Sequence, residues 1–152
     1  MAVAPYSGMA GWRDISEIAA WQRARELKIK IDGLLSRPEF ARRYKFCDQL
    51  GDSARSAPRN IAEGFGRFGN KEFAQFTRVA KGSEVETLNH LIDAHDQKLL
   101  SDDEFNELEH ITRTALKAAV GLIRHLENTK GPPPKKQPRE PEPGTKPGTG
   151  NP

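Results

Sequence analysis

Cysteine is almost missing from this chain: Cys47 is the only one in 152 residues. An intrachain disulfide is therefore excluded, as is any metal site built from several cysteines. Long apolar runs are missing too. Nothing approaches the roughly 20 apolar residues that a bilayer-spanning helix needs. The first eleven residues carry no charged region followed by an apolar one, so no signal peptide is expected and a cytoplasmic location follows. Alternating strand patterning is absent, and proline is rare before position 131, where only Pro5, Pro38 and Pro58 occur. No nucleophile sits in a strained turn and no phosphate-binding loop is present. The expected function is binding or assembly rather than catalysis, with no cofactor and no metal.

What is present is helical periodicity followed by an abrupt change of composition. From Gly131 onward eight prolines and four glycines fill 22 positions, so residues 131–152 are expected to be a disordered tail. Residues 1–13 are expected to be flexible, and 14–130 to form one all-α domain. Its first helix should begin at Asp14, with Glu17 completing a capping box, and end near Ser36 before Pro38. Trp21, Ala24, Leu27, Ile31 and Leu34 or Leu35 form its apolar stripe. A second helix should start near Glu39, with Phe40, Tyr44, Cys47, Leu50, Ala54, Ala57 and Ile61 inward and a kink at Pro58. Gly64, Gly66 and Gly69, free to take positive φ, should end it. Asn70 should cap a third helix running to about Lys98, with Phe73, Phe76, Ala80, Ser83, Thr87, Leu91 and Ala94 on one face and Leu88 and Ile92 widening it. Ser101 to Glu104 form a capping box for a fourth, whose Phe105, Leu108, Thr112, Ala115, Ala119, Leu122 and Leu126 follow in 3-4 spacing. Short connections make an antiparallel up-down-up-down four-helix bundle the simplest arrangement. Ile29, Val79, Val85, Ile111, Leu116 and Ile123 exceed what one core requires and are candidates for a subunit interface.

Two spacings suggest metal chemistry and neither develops it. Glu107 and His110 have the i, i+3 spacing of di-iron bundles, but the second such pair is missing. Glu86 and His90, one turn apart, are an ordinary helical contact. Gly64 to Gly69 spells G-x-G-x-x-G, yet it follows a helix rather than a strand, so it reads as helix termination and not as a dinucleotide site.

Charge is more informative in its distribution than in its net value of +3. Residues 37–81 carry ten Lys/Arg against five Asp/Glu, while 82–130 carry five against ten. The basic set Arg42, Arg43, Lys45, Arg55, Arg59, Arg67, Lys71, Arg78 and Lys81 covers the second helix, the glycine loop and the start of the third. In a helical hairpin these could converge into a phosphate-binding patch, with Phe65 and Phe68 able to stack on bases. The alternatives are a solvated face paired with local acids, or a head-to-tail contact in which the basic segment meets the acidic one of a neighbouring subunit.

The run Ser53-Ala-Arg-Ser-Ala-Pro58-Arg-Asn60-Ile-Ala-Glu63-Gly64-Phe-Gly66-Arg67, followed by Lys71-Glu72-Phe73 and Gly82-Ser83-Glu84-Val85-Glu86, resembles a known family. It is similar to the four-helix-bundle proteins encoded in intervening sequences of bacterial 23S ribosomal RNA genes, as is Trp21-Gln22-Arg23-Ala24-Arg25-Glu26-Leu27. The resemblance implies an up-down bundle, a homopentamer, and no established catalytic activity. A related bundle, the accessory protein of diversity-generating retroelements, is a basic pentamer that associates with reverse transcriptase and nucleic acid. By that resemblance the expected partners are further copies of the chain and RNA or DNA. The Pro/Gly-rich tail departs from the family pattern and is a candidate contact for protein or RNA. Within the motif, Pro58, Asn60, Glu63, Gly64, Gly66, Gly82 and Ser83 read as structural. Glu63 should pair with a flanking arginine, and Gly82 with Ser83 should pack closely on residues 54–62.

Overall fold

The computed structural model describes residues 11–67 and 69–129, so Phe68 and the expected tail lie outside the described residues. Among the described residues the regular structure is four α-helices and two short 3-10 turns: α1 Ala19–Leu35, α2 Tyr44–Phe65, α3 Asn70–Asp96 and α4 Asp102–Asn128. Each helix packs on its sequence neighbour, and α4 closes the bundle against α1. Contacts at the helix ends fix the antiparallel sense. Arg43 at the start of α2 bonds Gln97 after α3, and Lys30 late in α1 meets Glu107 early in α4 at 3.1 Å. Asn70 at the start of α3 donates to the Thr129 carbonyl beyond α4 at 3.1 Å.

The inward stripes are mostly those set by the spacing. Ala24, Leu27, Ile31 and Leu34 of α1 are buried, with Ala20 taking the place expected for the half-buried Trp21. On α4, Leu108, Thr112, Ala115, Ala119, Leu122 and Leu126 are buried, and Phe105 is half-buried beside His95. The apolar core divides in two. One cluster gathers around Leu27, Ile31, Phe40, Leu50, Leu91 and Leu108, the other around Ile18, Ile61, Phe73, Leu122 and Leu126.

The helix starts differ from expectation. Asp14 caps the 3-10 turn Ile15–Glu17 through the Ser16 amide, and Glu17 reaches back to the Arg13 amide; α1 itself begins only at Ala19, without a side-chain cap. The segment after Pro38 forms a 3-10 turn, Pro38–Phe40, because the fixed proline φ suits a first turn. α2 therefore begins five residues later than Glu39. This resets its phase: Leu50, Ala54, Ala57 and Ile61 stay inward, Cys47 is half-buried, and Tyr44 points out with 76 % of its surface exposed. Two successive three-residue steps, 44 to 47 to 50, lag the helical repeat by about 120°, which is enough to leave the core. α2 continues through a buried Pro58 to Phe65.

The glycine segment works by closeness rather than by positive φ. Gly66 has φ −74 and Gly69 φ −167, both open to any residue. Gly64 lies within α2 at its crossing with α3: a Cβ there would come within 2.7 Å of Phe73 Cδ2 and 2.8 Å of Phe76 Cβ. Gly69, not Asn70, occupies the cap position of α3, and Asn70 is a buried residue of the helix whose side chain latches to Thr129.

Candidate nucleic-acid interface

The cations assigned to nucleic acid are all exposed, but the bundle spreads them around several faces. Arg55 turns toward α1, with Asp32 at 3.6 Å and Asp52 at 3.4 Å. Arg78 turns the other way and pairs with Glu127 of α4. Arg67 is held by Glu63 at 2.7 Å and lies over the Phe76 ring, 5.3 Å from its centroid. The hairpin thus does not gather the full set into one patch. Each helix presents its cations at successive angles of about 100°, and tertiary neighbours claim those that fall at helix–helix seams.

Two smaller groupings remain, one at each end of α2. At its start Arg42, Arg43 and Lys45 are the exposed sequence neighbours of Tyr44. Arg43 donates to the neutral Gln97 amide, and neither Arg42 nor Lys45 has an ion-pair partner among the described residues. At its end Arg59, Ala62, Glu63, Gly66 and Arg67 line a shallow concavity of about 390 Å³. Arg59 and Arg67 flank Glu63 at four-residue steps, and Lys71 is exposed on the first turn of α3. With 22 residues in α2 the two groupings lie about 30 Å apart. Phe65 is not free to stack on a base: it is half-buried, edge-on to Phe73 at 6.2 Å.

The motif residues form a polar seam between α2 and α3. Asn60 Nδ2 donates to the Ser56 carbonyl at 2.9 Å and also lies 2.9 Å from Ser56 Oγ. Ser83 Oγ bonds Ser56 Oγ at 2.8 Å, and Thr87 Oγ1 lies 2.9 Å from Ser53 Oγ. Ser83 thus makes the expected close contact. Gly82 does not: it is exposed, and a Cβ there would meet nothing within 4 Å.

Of the polar groups that suggested metals, Glu107 and His110 do not share a site with Glu86 and His90. Glu107 takes Lys30, while His90 is 3.5 Å from Glu86 and edge-on to Phe46. Among the described residues no three His, Cys, Asp or Glu side chains gather as a metal would need.

Residues 16–121 match the family described as 23S rRNA-intervening sequence protein. The chain belongs to that family. A solved structure from Bacteroides thetaiotaomicron, titled as a protein of unknown function from the S23 ribosomal protein family, superposes with a TM-score of 0.63 at 16 % identity. The match covers 69 % of this chain and 95 % of that one, and it shows the shared fold. Comparison with curated proteins finds no match. The family segment holds all four helices except the last turns of α4, and with them the Pro58-to-Gly64 motif, the α2–α3 seam and both groupings of cations.

One residue of this family segment escaped the periodicity. Glu84 lies in α3 with no exposed surface, and neither carboxyl oxygen has a hydrogen-bond partner. Burial alone pushes its pKa up to about 8, so it is neutral in the folded bundle at pH 7. The strict 3-4 series Phe73, Thr77, Ala80, Glu84, Thr87, Leu91, Ala94 runs through it and was the available signal.

Proposed function

We propose that this protein is a non-enzymatic, oligomeric four-helix bundle that binds nucleic acid, RNA in particular, through the exposed cations of α2 and the start of α3. The observation carrying the reading is that Arg42, Lys45, Arg59 and Lys71 are exposed and without an acidic partner among the described residues, while Arg55, Arg67 and Arg78 are paired. An unpaired surface cation releases counterions from a phosphate backbone without first breaking an ion pair, so these four carry more of the binding than the paired three. Membership of a family named for 23S rRNA intervening sequences accords with an RNA partner. Alanine at Arg59 and Lys71 together should weaken binding to a generic RNA at low salt about tenfold, with the helical circular dichroism unchanged. Equal affinity would remove this surface from the account.

A second reading, a structural or adaptor subunit acting through self-assembly and protein contacts, has its own support. Val85 and Ile92 of α3 stay 49 % and 41 % exposed, beside the half-buried Leu88. Leu116, Val120 and Ile123 of α4 are also only half-buried. An apolar stripe of this kind is commonly covered by another subunit. Both readings predict an oligomer, so sedimentation combined with RNA binding discriminates: an oligomer that Val85→Asp dissociates and that binds no RNA at low salt supports the second reading, and a monomer refutes it.

A further inference from the structure

Resting on the nucleic-acid reading, we propose that the corner formed by Arg42, Arg43, Tyr44 and Lys45 holds single-stranded nucleic acid, one base stacked on the Tyr44 ring and the adjoining phosphates on the flanking cations. Tyr44 is the one aromatic side chain among the described residues that is exposed. The others are engaged: Trp12 lies edge-on to Phe73 and His125, Phe46 to His90, Phe65 to Phe73, and Phe105 stacks on His95. A tyrosine ring left 76 % exposed forgoes the burial that stabilises most aromatic residues. Its position is also firmly set. Phe40, fully buried, anchors the 3-10 turn before it, and the Arg43 amide bonds back to the Phe40 carbonyl at 3.0 Å. Arg43, at φ −108 and ψ 57, then turns the chain into α2.

The surroundings suit a phosphate chain. Three cations lie within two residues of the ring, and Asp48, one turn further on, is the nearest acid along α2. Arg43 has no side-chain cap bond to offer α2, so the positive end of the helix dipole adds to the same field. An aromatic face between cations is the usual platform for single strands, because every base has a stacking face and every nucleotide a phosphate. A duplex offers its phosphates but keeps its bases stacked on each other, so the ring discriminates in favour of the strand.

The experiment compares a short oligo(U) strand, an oligo(dT) strand and an RNA duplex by fluorescence anisotropy with the full chain. Tyr44→Ala should weaken binding to the strands about tenfold, the loss of one stacked base, while duplex binding changes less than about twofold. Tyr44→Phe should retain strand affinity. Replacing Arg42 and Lys45 by alanine should lower the salt slope on strands by about 1.4, two phosphates at about 0.7 each, whereas Tyr44→Ala should leave the slope unchanged. Similar losses on oligo(U) and oligo(dT) identify the shared base and phosphate chemistry, and a loss confined to oligo(U) assigns the corner to RNA. If the unaltered chain binds and Tyr44→Ala binds strands equally well, the corner is not the contact and the broader reading survives. Equal losses on strand and duplex would overturn stacking, and no binding of any probe by the unaltered chain would overturn both.

Discussion

Glu84 makes the stability of this bundle depend on pH. The elements around it offer its carboxylate no charge partner: α1 turns Ala24, Leu27 and Ile31 inward, α2 Ser53, Ala54 and Ala57, and α4 Thr112, Ala115 and Ala119. Burial is the sole cause of its pKa shift, with no charged group contributing, and neither carboxyl oxygen has a hydrogen-bond partner. The folded-state pKa of about 8 lies above the unfolded value near 4.5. The protonated form is thus favoured by folding, its contribution is full below about pH 4.5, and it is lost as pH rises through about 8. Denaturant unfolding should show stability falling across that window by at most about 1.4 kcal/mol per pH unit and levelling above it. Glu84→Gln should abolish most of that slope and be the more stable protein at pH 8. A slope unchanged in the variant would show that Glu84 ionises freely in the fold.

The two glycines of the motif give opposite expectations at the same scale. Gly64→Ala drives a methyl group into Phe73, a fully buried ring with little room to move, and should cost about 1–3 kcal/mol. Gly82→Ala meets open space on an exposed helix interior and should stabilise the fold by about 0.5–1 kcal/mol. Thermal unfolding of the two variants checks both signs.

At the scale of elements, α4 is the helix whose start has a side-chain cap: Ser101 Oγ accepts from the Glu104 amide at 3.2 Å, and Asp102, Asp103 and Glu104 fill the first turn. Ser101→Ala should cost about 1 kcal/mol. A loss below a few tenths, read from denaturant midpoints, would show the acidic turn and packing suffice alone. The capping box is only half made, because the Glu104 carboxylate turns to Arg37 at 3.0 Å instead of its own backbone. That difference typifies what the sequence made legible. Local signals such as the Ser101 start and the 3-4 stripe of α4 survive in the fold because nothing distant competes with them. Asn70 is misread as a cap because its partner, Thr129, is 59 residues away. Tyr44 is misread as core because its phase was carried over from Phe40, which belongs to a separate turn. The cations of the candidate interface were legible as residues, but their partners were not: Arg78 meets Glu127 and Arg55 meets Asp32 only once the helices are side by side.

For the whole molecule, the charge asymmetry of the sequence becomes a spatial statement. The basic segment supplies α2 and the start of α3, the acidic one the rest of α3 and all of α4, and cross-bundle pairs neutralise part of each. Of the cations assigned to nucleic acid, those without an acidic partner among the described residues lie toward the two ends of α2, about 30 Å apart, a span that a few nucleotides of extended strand could bridge. No helix among the described residues is long and apolar enough to cross a membrane. The central claim is that exposed, unpaired cations bind a phosphate backbone, and the affinity of the full chain for single-stranded RNA as a function of salt tests it most directly. A straight line of log affinity against log salt with slope of about −2 to −4, as about three to five phosphate contacts require, is the predicted result. A slope near zero, or no binding at low salt, would contradict it.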